Sequence, residues 1–298
     1  MSAEPRLDQV FPALDLPADF DMDIFLVSVG LRSLGKIEEV TDRKLDSTCN
    51  SVEKRGLHTR AISGPGKGMS DVFFARNHRA LERVHSLERN QRLKRNAARR
   101  ARACRTIGLA LGYPSCCVEA FIASARQNDE ERLLSFSRDL STPIDARLNF
   151  FPRVFAPTSH LPCKPECKAS IRRADKVLEE IGEQLDVDPQ NILEALEGII
   201  AWTSGPHFLF FRGVNLLDDT SFTYNEVYGS HEIMELPPIS RHRKAAKEMD
   251  GLLEQLRNGN RLSLTETGAV VYSEDDVVFQ WNQTNLRDHL LRFAKMDE

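Results

Sequence analysis

The chain has 298 residues, 41% of them hydrophobic and 28% charged, with a formal net charge of -4 and a pI near 6.1. This is ordinary globular composition in a chain long enough to bury its own core, which excludes a wholly disordered or fibrous protein. The mild negative charge gives no global attraction to nucleic acid or anionic membrane, so any such affinity must be local.

Residues 1–21 are acidic and carry Pro5, Phe11 and Pro12. Without a basic start and an apolar centre they do not read as a secretory signal. No run approaches the roughly 18 apolar residues that a membrane span requires, so no membrane association is expected. A cytoplasmic location is the expectation, and with it reduced thiols: six cysteines in a chain of this size are poor evidence for a disulfide framework.

Three textures follow one another, and they divide the chain into segments 1–78, 79–198 and 199–298, which one compact domain can also hold. The first reads as β-rich, with strand-length apolar runs over Ile24–Val29 and Asp71–Phe74 and a further strand over Leu57–Ile62. The glycines and lysine of residues 63–70 do not follow the order of a phosphate-binding loop and read as a turn. The second texture is helical. Arg79–Gly112 is rich in Ala, Leu, Arg, Lys and Glu and has no proline. Tyr113-Pro114 interrupts it, and a new helix is expected over Ser115–Ala125. Ile171, Ala174, Leu178, Ile181 and Leu185 then place one apolar stripe on a core-facing helix. Asp188-Pro189 caps and starts a short helix that ends near Glu197.

The third texture is mixed. A buried strand is expected over His207–Phe211 and a helix over Ser240–Arg257, with Ala245, Met249, Leu252, Leu253 and Leu256 on one face. Ala269–Tyr272 and Val277–Trp281 form a hairpin. A closing helix should turn Leu286, Leu290, Phe293 and Ala294 inward. Strands, a helical block and mixed segments without regular alternation predict an α+β fold.

The chemistry is concentrated in cysteines. Cys116 and Cys117 are adjacent in the first turn of an expected helix, where unpaired N–H groups and the helix dipole favour the thiolate. Cys163 and Cys167 approach the next helix through Pro162 and Pro165, and they converge if Cys163 lies just before that helix and Cys167 in its first turn. Four thiolates from two proline-entered helix starts make a tetrahedral zinc site or hold an iron–sulfur cluster. Adjacent cysteines should diverge in a helix, which suits a cluster better than one small ion. Two other readings stay open: inert core cysteines beside Val118 and Phe121, and a redox or nucleophilic thiol pair. Cys104 and Cys49 are weaker candidates. His160 is the best substitute ligand or proton carrier. Cys163 and Cys167 show the first spacing of a radical S-adenosylmethionine motif, but the third position is Ser170, which disfavours that class.

The string Gly-Tyr-Pro-Ser-Cys-Cys-Val-Glu-Ala-Phe at residues 112–121 resembles a Gly-Tyr-Pro-x-Cys-Cys element of an uncharacterised archaeal and bacterial family. The resemblance covers that string alone. It implies that Cys116 and Cys117 matter and carries no activity to this chain.

Residues 89–105 hold eight basic residues and no acidic one, with few aromatics for base stacking. Arg95, Arg99 and Arg102 are spaced to share one helix face and are candidate anion-binding residues; a solvated helix face is the plain alternative. The leading expectation is a protein with a metal or iron–sulfur centre at Cys116, Cys117, Cys163 and Cys167. One rival is a thiol- or metal-dependent enzyme acting on a small anionic substrate. The other is a metal-stabilised module that binds nucleic acid or protein through residues 89–105.

Overall fold

The computed structural model describes residues 11, 14, 16–17, 20–64, 66–92, 96–124, 129–137, 139–204, 207–233, 240–283 and 286–296, without side chains at 129–130, 204 and 240–246. The architecture is α+β, as expected. Chain contacts divide it into two compact units: Asp19–Arg126 with Ser159–Cys163, and Met1–Ala18 with Gln127–Thr158 and Lys164–Glu298.

The first unit opens with helix α1 (Met22–Ser28), where a strand was expected. An apolar run of this length fits a buried helix as well as a strand, and Asp21 decides it: its carboxylate accepts the Ile24 N–H at 2.9 Å, capping the first turn. Strand β1 (Gly35–Thr41), helix α2 (Asp42–Glu53), β2 (His58–Ser63) and β3 (Met69–Ala75) follow. The strands form an antiparallel sheet in the order β1-β3-β2. Alternation along central β3 sends Phe73 and Phe74 to opposite faces. Phe74 packs with Ile24, Val27, Val52 and Leu57 of the α1 and α2 region. Phe73 packs with Leu81, Val84, Ile107 and Leu111 from the helices that follow.

Those helices are three, not the single one expected over Arg79–Gly112: α3 (His78–Glu82), α4 (Val84–Gln91) and α5 (Ala97–Ala110). Local capping competes with propensity here. The side chains of Asn77 and Asn96 accept the N–H groups of Arg79 and Arg99, each at 2.9 Å, and fix two separate starts. Helix α5 ends at Gly112, whose φ of +79° is the left-handed conformation that glycine adopts freely. Helix α6 (Ser115–Ala123) then folds back on α5. The close approach needs Gly108, where a Cβ would stand 2.8 Å from Val118.

The second unit contains helix α7 (Asp129–Leu134), strand β4 (Ile144–Asp145), α8 (Lys168–Leu185) and α9 (Pro189–Leu196). The expected stripe on α8 is realised, with Ala174, Val177, Leu178 and Ile181 buried. Strands β5 (Gly198–Ser204), β6 (His207–Arg212), β7 (Asn215–Leu216), β8 (Ser221–Thr223) and β9 (Glu226–Gly229) come next. Helices α10 (Ser230–Ile233) and α11 (Ser240–Arg257) lead to β10 (Arg261–Thr265), β11 (Gly268–Ser273), β12 (Asp276–Asn282) and β13 (Leu290–Ala294). The expected hairpin is β11 with β12. Met249, Leu253 and Leu256 of α11 join the core; the side chain of Ala245 lies outside the described residues.

The closing helix expected over Leu286–Ala294 is instead a 3-10 turn, Leu286–His289, followed by β13. This strand pairs with β5 antiparallel and β4 parallel, inside a sheet ordered β4-β13-β5-β6-β9. Leu290, Leu291 and Phe293 are buried by partners remote in sequence, which overrides the helix-like spacing. The other sheet runs β12-β11-β10-β8-β7. Among the described residues, no helix is long and apolar enough to cross a membrane.

A buried ionic network ties the first unit's sheet to α4. Asp71 accepts from Arg92 at 3.1 Å and lies 3.2 Å from the Lys36 ammonium, while Glu88 accepts from Arg92 at 2.9 Å. Asp71 also accepts the Glu39 N–H at the β1 bulge. Removing Asp71 leaves Lys36 and Arg92 to share Glu88, 3.7 and 2.9 Å away, and takes the acceptor from the Glu39 N–H. Asp71→Ala should therefore cost about 2 kcal/mol of unfolding free energy in denaturant titration, more than the same change at exposed Asp275.

Candidate metal centre

Cys116 and Cys117 are the second and third residues of α6. The Pro114 carbonyl accepts the N–H groups of Cys117 and Val118 at 2.9 and 3.0 Å and so closes the first turn. The sulfurs do not diverge as the helical arrangement suggested: they stand 3.9 Å apart. Both side chains leave the free end of the helix, where no preceding turn restricts their rotamers.

Cys167 is the N-cap of α8, one position outside the first turn where it was expected, and Cys163 lies in the preceding turn. The Cys167 N–H donates to the Lys164 carbonyl at 3.2 Å, and its carbonyl accepts from Ile171 at 3.0 Å. Ser170, fully buried one helical turn on, donates its hydroxyl to the Cys167 sulfur at 3.4 Å. The four sulfurs of Cys116, Cys117, Cys163 and Cys167 all lie within 4.8 Å of one another, an arrangement that can hold a metal ion. Among the described residues, no other group of three or more His, Cys, Asp or Glu side chains converges in this way. Cys117 and Cys167 are buried, Cys163 is half-buried and Cys116 is exposed.

His160 is not one of the four. Its ring lies against Tyr113 with centroids 4.8 Å apart. Beside the centre, Arg105 of α5 grips Glu119 of α6 through two hydrogen bonds of 2.5 and 2.7 Å, which hold the carboxyl below its usual range. Cys104 is buried on α5, and burial pushes its thiol above the ordinary value. Cys49 lies on α2, half-buried.

The basic run is broken up by the fold. Arg92 is engaged with Asp71 and Glu88, and Arg105 with Glu119. Arg95 lies outside the described residues, so the expected three-residue face is described only at Arg99 and Arg102, both exposed on α5. Sequence reasoning missed Ser170 as a partner of Cys167, although its spacing of three in a helix was a usable signal. Nothing local foretold the Tyr113–His160 pair.

Residues 91–188 match the model of a family described as "Protein of unknown function (DUF483)". The match spans both cysteine pairs as a segment and does not single out the Gly-Tyr-Pro-x-Cys-Cys element. No curated protein and no solved structure matches the chain.

The exposure of the thiols gives an order of reactivity. In reduced, metal-free protein at neutral pH, iodoacetamide should modify Cys116 at least about tenfold faster than Cys104, because the thiolate and its access set the rate. Timed peptide mass spectrometry reads the two rates separately.

Proposed function

We propose that this is a metal-binding protein in which Cys116, Cys117, Cys163 and Cys167 hold one tetrahedral zinc ion in a closed, structural centre. The observation that carries the reading is the 4.8 Å limit on the separation of the four sulfurs. With zinc–sulfur bonds of about 2.3 Å, the edge of a tetrahedral site is about 3.8 Å. The 3.9 Å separation of Cys116 and Cys117 meets that edge. A four-iron cluster puts each thiolate on a different iron and spreads the sulfurs to about 6 Å, so the spacing favours one ion over the cluster that adjacent cysteines suggested.

The donor set also fits. Cys116 and Cys117 stand in the first turn of α6, beside N–H groups that have no partner within the helix. Ser170 donates to the Cys167 sulfur, the kind of outer contact that orients a ligand. Four protein ligands fill the tetrahedron and leave no position for a substrate, which supports a structural role over the enzyme reading. The ion's contribution is folding free energy, since its four ligands come from pairs remote from one another in sequence.

Metal analysis of protein purified without affinity metals tests this. The expected result is one zinc per chain in a colourless protein, with Cys163→Ser retaining little zinc and melting at lower temperature. Iron with acid-labile sulfide and visible absorption, or no bound metal, would overturn it.

A second reading concerns α5, where Arg99 and Arg102 are exposed and carry no ion pair among the described residues, while the helix has no acidic residue to offset them. This supports docking of a polyanion through phosphate contacts that are independent of base sequence. Arg99→Glu with Arg102→Glu should leave melting unchanged and abolish retention on heparin. If the parent binds nucleic acid, the salt slope of the remaining affinity should fall by about two units. A parent protein that ignores heparin at low salt returns this face to plain solvation.

A further inference from the structure

We infer that Arg32 is a positioning residue for the metal centre, acting through Ser159 on the segment that delivers Cys163. The inference rests on the metal reading above and adds to it the group that sets the site's geometry. Arg32 lies in the turn between α1 and β1 and is only 4% exposed. Burying a guanidinium is costly, and here the cost is not fully offset, since its Nε is buried with no hydrogen-bond partner among the described residues. The remaining nitrogens serve two ends of one strap: one pairs with the Asp23 carboxylate of α1, the other donates to the Ser159 hydroxyl. The Arg32 backbone is itself fixed by its N–H bond to the Leu26 carbonyl at 3.0 Å.

Ser159 opens the run Ser159-His160-Leu161-Pro162-Cys163. Arg32 therefore anchors the chain four residues before a metal-binding thiol. The ring of the next residue, His160, lies tilted against Tyr113, which stands three residues before Cys116. The two contacts line up the approach to Cys163 with the approach to Cys116 and Cys117. A well-packed apolar residue at position 32 would give comparable stability without the buried-charge penalty. What it could not do is hold one hydroxyl at a defined place, and that directional task is what the guanidinium fork supplies.

The test separates positioning from general stability and uses zinc as the probe. Zinc affinity of the full chain is measured by competition with a chromophoric chelator, and the melting temperature of the reduced, metal-free chain is measured beside it. Ser159→Ala removes only a half-buried hydroxyl and keeps the ion pair. It should weaken zinc binding by about 10- to 100-fold while metal-free melting stays as in the parent. Ser159→Thr, which restores a hydroxyl, should recover most of the affinity. Arg32→Lys keeps the charge for Asp23 but lacks the fork, and should reproduce the loss; should it fail to fold, Ser159→Ala decides alone. A Ser159→Ala chain that binds zinc as tightly as the parent would overturn the positioning role while leaving the metal reading intact. A parent that binds no zinc would overturn both. A Ser159→Ala chain whose metal-free form is destabilised in step with its lost affinity would make the contact merely structural.

Discussion

Four thiols gathered within 4.8 Å of one another constrain this protein more tightly than any other feature. As thiolates they repel: two unit charges about 4 Å apart cost about 4 kcal/mol at an effective dielectric constant of 20. Protons or a cation must neutralise the group. Cys117 and Cys167 are buried, so water contributes little screening on their side of the group. A divalent soft ion removes the repulsion and turns the same crowding into coordination.

The backbone around the group is built to allow that crowding. Gly112 ends α5 in the left-handed conformation, Pro114 starts α6, and the free first turn lets two neighbouring sulfurs lie side by side. Gly108 admits Val118, so α6 lies close on α5, and the Arg105–Glu119 pair braces the same two helices from outside. On the other side the turn from Lys164 to Cys167 presents Cys167 at the cap of a long helix, with Ser170 beneath its sulfur. Each device is local, and each acts on one or two residues of the centre.

Charge is distributed by the same economy of position. The stretch from Arg89 to Arg105 looks uniform in sequence, yet the fold assigns its members different work. Arg92 completes a buried network with Asp71 and Glu88, Arg105 holds Glu119, and Arg99 and Arg102 face solvent. A helix whose first turn carries arginines runs against its own dipole, which is tolerable at the surface and favourable if an anion is present. Arg32 is the opposite case, a buried arginine held between Asp23 and Ser159.

The sequence by itself determined the α+β class, the hairpin of β11 and β12, the helix over Ser240–Arg257 and the four cysteines worth watching, because these rest on short-range signals: period, caps, turn residues and residue type. It misread Ile24–Val29 and Leu286–Ala294, since an apolar run carries no record of which surface will cover it. Asp21 made the first a helix, and the distant partners β5 and β4 made the second a strand. It was silent on β1 and α2, which have few apolar residues to set a period. For the centre, residue type named the thiols, but their separation, the contact of Ser170 with Cys167 and the reach of Arg32 to Ser159 were decided by the tertiary structure alone. Those contacts join residues whose spacing in the chain has no bearing on their distance, and distance is what separates one tetrahedral ion from a cluster.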